Sequence, residues 1–228
     1  MLGAGRRTRE AALAATQIIP IIALFTDDPV ASGLIKTLGR PGRNLTGVTF
    51  STGPEFQGKR LQLLVEIAPN IKLAAFLAPQ EGLAQYRGSA PPIGVSVIPV
   101  PVDVTEQYNG AFAKIIEERA DALVVLGGIN YNNTRNIVAF ADRHRLPTIY
   151  GWSEAVRAGG LMSYGTNVPS VWRQAARPTD QILKCAKPGE VPVEQPTKFE
   201  LAINLKAAKA LSLTIPPTLL AQADEVLE

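Results

Sequence analysis

The chain has 228 residues, 46% of them hydrophobic, and a formal net charge of only +3. That length buries a real core in one large or two small domains. Beyond the Arg6-Arg7-Thr8-Arg9 patch its cations are scattered, which excludes the clustered basic stripe of a nucleic-acid binder.

A single cysteine, Cys185, excludes an intramolecular disulfide framework. A single histidine, His144, leaves a zinc site dependent on carboxylates for most of its ligands. His144 lies in Arg143-His144-Arg145, where an imidazole suits the last carbonyls of a helix, and no Cys or Ser motif accompanies it. No metal or cofactor is expected. No run approaches the roughly 20 apolar residues of a membrane span, so no direct membrane insertion is expected. Arg6-Arg7 ahead of an apolar segment suggests an export signal. Glu10, Gln17 and Pro20 interrupt that segment, however, so it reads as a helix followed by a strand.

In chain order, the spacing predicts a helix over 9–16 and a strand over 18–25, β-branched and apolar on both faces. Thr26-Asp27-Asp28-Pro29 then supplies a helix start, with Asp28 as N-cap and Pro29 at the first helical position, the helix ending near Gly39. A strand over 44–50 and an amphipathic helix over 55–67 follow. Strands over 72–77, 95–100, 122–126 and 147–150 alternate with a helix after Leu77 and helices over 106–118 and 134–144. Such alternation implies parallel pairing through right-handed crossovers, and so an α/β chain. The last third is less regular: a strand over 160–164, a helix over 168–184 broken near Pro178, a strand over 199–204, and helices over 206–211 and 216–226. Met1-Leu2-Gly3-Ala4-Gly5 reads as the turn after a strand, as though the first strands lay outside this chain.

Ligands of open α/β sheets sit at the carboxyl ends of the strands. That rule selects Gly3–Thr8, with Gly5 and Arg6, and Asp27-Asp28. Further along it selects Pro79-Gln80, Asp103, Gly128–Tyr131 with Asn130, and Gly151-Trp152-Ser153-Glu154. Helix N-termini after such loops offer N–H groups to a carboxylate, while Asp28 could receive an ammonium group or serve only as a cap. Tyr131 and Trp152 are positioned to stack on a ligand or to cover a loop. Gly3-Ala4-Gly5 lacks the third glycine of a dinucleotide fingerprint.

An ordered set of segments resembles a known family. Ile19-Pro20-Ile21 leads to Asp28-Pro29-Val30, Arg40-Pro41-Gly42 and Asn44-Leu45-Thr46-Gly47-Val48. Gly159-Gly160-Leu161-Met162-Ser163-Tyr164-Gly165 follows, then Pro192–Glu200, Ile203-Asn204-Leu205-Lys206 and Ile215-Pro216-Pro217. Together they are similar to the substrate-binding family of ABC transporters that includes tryptophan- and tyrosine-type receptors. The resemblance implies a type I periplasmic-binding-protein fold, with two Rossmann-like lobes, parallel sheets and three crossovers, the first lobe N-terminally truncated. Lobe one would hold 1–50 and 165–191, and lobe two 54–160 and 193–228, with Tyr164 at a crossover as a further ligand contact. It implies a periplasmic solute receptor rather than an enzyme. Such a receptor takes a small molecule, an amino acid or related carboxylate first, between its lobes and delivers it to the membrane permease subunits of an ABC importer. Relatives often carry Asp-Pro where this chain has Gly128-Ile129.

The alternatives are an α/β enzyme and the ligand-sensing domain of a transcription regulator. The first needs a nucleophile motif or phosphate loop, and neither Gly-x-Ser-x-Gly nor Gly-x-x-x-x-Gly-Lys-Ser/Thr occurs. The second needs a helix-turn-helix, and none is legible ahead of the first α/β unit.

Overall fold

A computed structural model describes residues 2–4, 6–26, 28–50, 54–80, 82–83 and 94–228. The chain divides into two compact units, one of residues 1–52 and 166–198, the other of 53–165 and 199–228.

The smaller unit carries a three-stranded parallel sheet: β1 (Leu2–Ala4), β2 (Ile21–Phe25) and β3 (Leu45–Thr49), with β2 in the middle. Leu2-Gly3-Ala4, expected as a turn, is thus a strand, in register with Ile22-Ala23-Leu24. Three residues carry no period of their own, and pairing with β2 makes them a strand. Helix α1 (Arg6–Ala15) follows β1. All five residues of β2 are buried. Ala12, Phe25, Leu34, Ile35, Leu45 and Val193 pack in one cluster, and Ile22, Leu24, Val48, Val171 and Ala175 in another.

Strand β2 starts three residues later than its apolar run suggests. Ile18 and Ile19 are 90% and 56% exposed, because their N–H groups donate to Thr16 Oγ1 at 3.2 and 3.0 Å in a tight turn. Asp28 does cap: its Oδ1 accepts from Val30 N at 2.8 Å and Ala31 N at 3.0 Å. The expected helix does not propagate past that turn, for Gly33 takes a φ of +69°, a left-handed conformation that ends helices. The expected break in the helix over 168–184 falls at Ala175, between α7 (Val168–Gln174) and α8 (Ala176–Leu183). Pro178 lies there in the first turn of α8, where its missing N–H costs nothing. Beyond a short 3₁₀ turn, Val48 and Glu194 form a parallel bridge, and Thr46 Oγ1 donates to the Val191 carbonyl at 2.8 Å.

The larger unit is a seven-stranded sheet of order β10-β9-β8-β7-β6-β4-β5. Its strands are β4 (Leu73–Ala78), β5 (Ser96–Pro101), β6 (Ala122–Val125), β7 (Thr148–Tyr150), β8 (Met162–Thr166), β9 (Phe199–Asn204) and β10 (Glu225–Leu227). The β4–β5, β4–β6, β6–β7, β7–β8 and β9–β10 pairs are parallel. Helices α2 (Pro54–Ile67), α3 (Tyr108–Glu117), α4 (Gly128–Asn132), α5 (Thr134–Arg143), α6 (Glu154–Arg157), α9 (Leu205–Ala210) and α10 (Pro217–Gln222) surround it. The helix expected after Leu77 falls largely outside the described residues.

Both faces of the central strands are buried. Leu61, Leu64 and Ile67 join Ala74, Phe76, Ala122, Val124 and Ile149 in one core, while the alternate residues Ala75, Leu77, Leu123 and Val125 are buried as well. At about 25 cal/mol per Å² of apolar surface, each such Leu or Val contributes roughly 1.5–3 kcal/mol. The chain's end departs from the expected helix over 216–226: α10 stops at Gln222 and the backbone extends into β10. The Asp224 carboxylate fixes that turn by accepting from Leu201 N at 2.9 Å, and Asp224 N donates to the Leu201 carbonyl at 2.8 Å.

Among the described residues strand β5 is an edge of the sheet, and it carries Pro99 and Pro101. Ser96 N and Val102 N donate inward, to the Lys72 and Ala78 carbonyls. The nitrogens of odd-numbered residues therefore face outward, where proline has no hydrogen to offer. Lys114 Nζ caps the Pro99 carbonyl at 3.0 Å. No helix among the described residues is long and apolar enough to cross a membrane.

Candidate functional site

At the carboxyl edge of the larger sheet, the loops after β4, β5, β6 and β7 converge around one buried side chain. Asn130, in α4, is fully buried. Its Oδ1 accepts from Tyr108 Oη at 2.6 Å, and its Nδ2 donates to the Leu77 and Leu126 carbonyls at 2.9 and 2.6 Å. Both amide hydrogens are spent on the ends of β4 and β6, so Asn130, expected as a ligand contact, is a strut that fixes the loop carrying Tyr131. The loop can turn so sharply because Gly127 takes a φ of +91°, and any Cβ there would strike the ring of Pro79.

From Asn130 the network continues through Thr134. Its Oγ1 donates to the Tyr131 carbonyl at 2.7 Å and accepts from Trp152 Nε1 at 2.9 Å. Trp152 is thereby buried, 5% exposed, and Tyr131 stands on it edge-on, with ring centroids 5.6 Å apart. Tyr131 is 37% exposed. Burial first, and then the nearby Glu154 carboxylate, raise its phenol above the ordinary tyrosine value. Tyr131, Thr134, Arg135, Glu154 and Arg157 contribute to the lining of an open depression of about 710 Å³. Among the described residues, Glu154 Oε2 is shielded from solvent and has no hydrogen-bond partner. Arg157 is committed elsewhere, its Nε and Nη2 donating to Glu225 Oε1 and Oε2 at 2.9 and 2.6 Å.

Of the other residues selected from sequence, exposed Gln80 lies beside Asp103, whose Oδ1 accepts from Gln80 N at 3.1 Å. Tyr164 is half-buried in β8, stacked on Phe56 at 6.0 Å. In the smaller unit Asp28 is the cap described above. Gly5 lies outside the described residues, and Arg6 opens α1, its side chain likewise outside them. Arg9 was not anticipated. It is fully buried, with Nη1 donating to the Leu24 carbonyl at 3.1 Å and its guanidinium 5.4 Å from the Phe25 ring centroid. Its only trace in sequence is the basic patch it closes, one turn into α1.

Burial pushes the phenols of Tyr108 and Tyr150 well above their usual value of 10.0. Below about pH 10 folded and unfolded chains both keep these protons; above it the unfolded chain releases them first, so stability falls as pH rises. The melting midpoint is therefore expected to decline above about pH 10, and one that stays flat to about pH 11.5 would contradict this.

The family model described as ABC transporter substrate binding protein matches residues 1–227. The chain belongs to this family. It is a family of binding proteins rather than a class of enzymes. A tyrosine-binding protein of Clostridioides difficile (strain R20291) is 23% identical over 213 residues, 90% of this chain and 60% of the relative. The chain thus spans less than two thirds of that curated relative's length. Among solved structures, a conserved domain protein of Vibrio cholerae O1 biovar eltor is 25% identical, with a TM-score of 0.88 over 99% of this chain and 77% of that one. An ABC domain of Streptococcus pneumonia, in complex with L-Trp, is 24% identical, with a TM-score of 0.88 over 99% of this chain and 80% of that one. This ABC transporter substrate-binding protein has the type I periplasmic-binding-protein fold.

Proposed function

We propose that this chain is the ligand-binding portion of a solute receptor that serves an ABC importer outside the cytoplasmic membrane, in the periplasm, and hands its ligand to permease subunits. The observation that supports the role most directly is the family match along nearly the whole chain. The relatives' tyrosine and L-Trp ligands make an aromatic amino acid the first candidate solute. The carboxyl edge of the larger sheet suits that chemistry. Tyr131 offers a half-exposed ring backed rigidly by Trp152, Glu154 places a carboxylate in the lining for an ammonium group, and Arg135 offers a cation for a carboxylate. Aromatic pairing of this kind contributes about 0.5–1.5 kcal/mol beyond area burial. In the smaller unit, the Asp28 carboxylate stands as a second candidate for the ammonium group.

Isothermal calorimetry with L-tryptophan and L-tyrosine tests the reading. Binding is expected, with Tyr131→Ala weakening it about tenfold, equivalent to roughly 1.4 kcal/mol, and Glu154→Gln weakening it for amino acids but not for the corresponding deaminated acids. Absence of binding to either amino acid, or affinity untouched by both substitutions, would remove this site assignment.

A further inference from the structure

Three loops of the smaller unit meet at the amino end of its sheet: one ahead of β2, one ahead of β3 and one after α8. Asn44 Nδ2 donates to the Thr16 and Ile19 carbonyls at 3.1 and 2.8 Å, joining the first loop to the second. Gly42 N donates to the Gly189 carbonyl at 3.1 Å, joining the second to the third. At the tip of the first loop Ile18 is almost wholly exposed, and Ile19 beside it more than half. Thr16 Oγ1 accepts from the N–H groups of both, so a hydrogen-bonded turn presents the pair to solvent. The charge on the other two loops is one-sided. Residues 36–44 carry Lys36, Arg40 and Arg43 and no carboxylate, and residues 184–190 carry Lys184, Lys187 and a single Glu190. All five cations are exposed. With five cations against one carboxylate, these two loops hold a net +4, where the entire chain holds +3. Lys184 pairs with Asp180 at 2.8 Å and Lys187 lies 4.0 Å from Glu190. Lys36, Arg40 and Arg43 have no ion-pair partner among the described residues. Scattered in sequence, these cations are collected by the fold.

We propose that this end of the smaller unit is a contact surface for an anionic lipid bilayer, with Ile18 and Ile19 entering the headgroup layer and Lys36, Arg40 and Arg43 facing lipid phosphates. Apolar side chains gain at that boundary by reaching the acyl chains, while flanking cations are drawn by the negative surface potential. Ile18, at 90% exposure, protrudes rather than lining a groove, which suits a fluid surface that moulds around it. The contact is peripheral and involves no membrane span. It depends neither on the receptor reading nor on any solute.

Cosedimentation of the full chain with lipid vesicles tests the proposal. The protein is expected to bind vesicles of phosphatidylcholine and phosphatidylglycerol in equal parts and to leave vesicles of phosphatidylcholine alone unbound. Raising salt from about 0.1 to about 0.5 M should release it. Arg40→Gln combined with Arg43→Gln should weaken binding about 25-fold, or about fivefold for each charge removed near the surface. Ile18→Ser combined with Ile19→Ser should weaken it about tenfold. Arg119→Gln combined with Arg145→Gln removes equal charge from exposed positions of the larger unit and should leave binding unchanged. All the replaced side chains are exposed, so each variant should melt with the parent protein. Equal binding to both kinds of vesicle, binding to neither, or equal weakening by the Arg119 and Arg145 pair overturns the proposal. Capture of soluble polyglutamate as tightly as the vesicles, with no loss in the isoleucine variant, assigns the surface to an acidic polypeptide instead. Self-association that the isoleucine variant abolishes assigns it to a second copy of the chain, and either result also overturns the proposal.

Discussion

Replacing Asn130 by alanine is expected to destabilise the larger unit by about 3 kcal/mol. The side chain lost is small, but the groups it leaves behind are not neutral. The buried Tyr108 hydroxyl loses its acceptor and the Leu126 carbonyl loses the Asn130 donor, whereas the Leu77 carbonyl still receives Leu126 N at 3.0 Å. Each abandoned buried polar group costs about 1–3 kcal/mol. In a chain of this length a 3 kcal/mol loss lowers the melting temperature by roughly 6–12 °C. Asn130→Asp separates the donor role from the shape. It preserves an acceptor for Tyr108 but sets carboxylate oxygens against two carbonyls, so it should be at least as damaging at neutral pH and recover in part on acidification. Urea unfolding of both variants decides the matter, and an Asn130→Ala unfolding free energy within about 0.5 kcal/mol of wild type would show that Asn130 is no strut.

Gly165→Ala should be still more severe, beyond about 4 kcal/mol, so that little folded protein accumulates. An added Cβ would overlap the Gly151 carbonyl oxygen and approach its carbon to 2.6 Å. Neither backbone can readily yield. Gly151 N is bonded to the Val125 carbonyl at 3.1 Å, β7 and β8 are in register at Tyr150 and Ser163, and Arg60 holds the Tyr164 carbonyl. Gly110→Ala makes the same chemical change at an exposed position of α3, where nothing lies within 4 Å of the new atom. There alanine's better helix propensity should stabilise by about 0.5–1 kcal/mol. Opposite signs in paired thermal melts are the expected result, and similar effects at both positions would refute the packing argument.

Which elements could be read from sequence follows from where their determinants lie. Strands β2, β3, β4 and β6 announce themselves through runs of small, apolar and β-branched residues, and β9 through the alternation of Phe199, Leu201 and Ile203, over Phe199–Asn204 as the spacing predicts. Strands β1 and β10 are three residues each, too short to show any period, and exist only through pairing with β2 and β9. The Asp28-Pro29 start signal is genuine, but a cap does not make a helix when Gly33 turns the backbone left-handed four residues later. At the site, the rule that ligands sit at strand carboxyl ends selects loops, whereas the role of a side chain depends on what the fold brings to it. Asn130 and Tyr131 are adjacent and polar alike in sequence, yet one is sealed among carbonyls and the other is half-exposed above Trp152. Arg9 was hidden for the same reason: burial of a long cation is decided by Leu24 and Phe25, not by its neighbours in the chain.

The outer margin of β5 has a meaning for the protein's life in company. A strand arriving there would find nitrogens without hydrogens at Pro99 and Pro101 and a lysine already seated on the Pro99 carbonyl. Main-chain recruitment, the route by which sheets from separate molecules fuse into fibres, is therefore blocked along this border. The larger sheet thus resists extension at its β5 border by this means, without a helix laid over these two prolines.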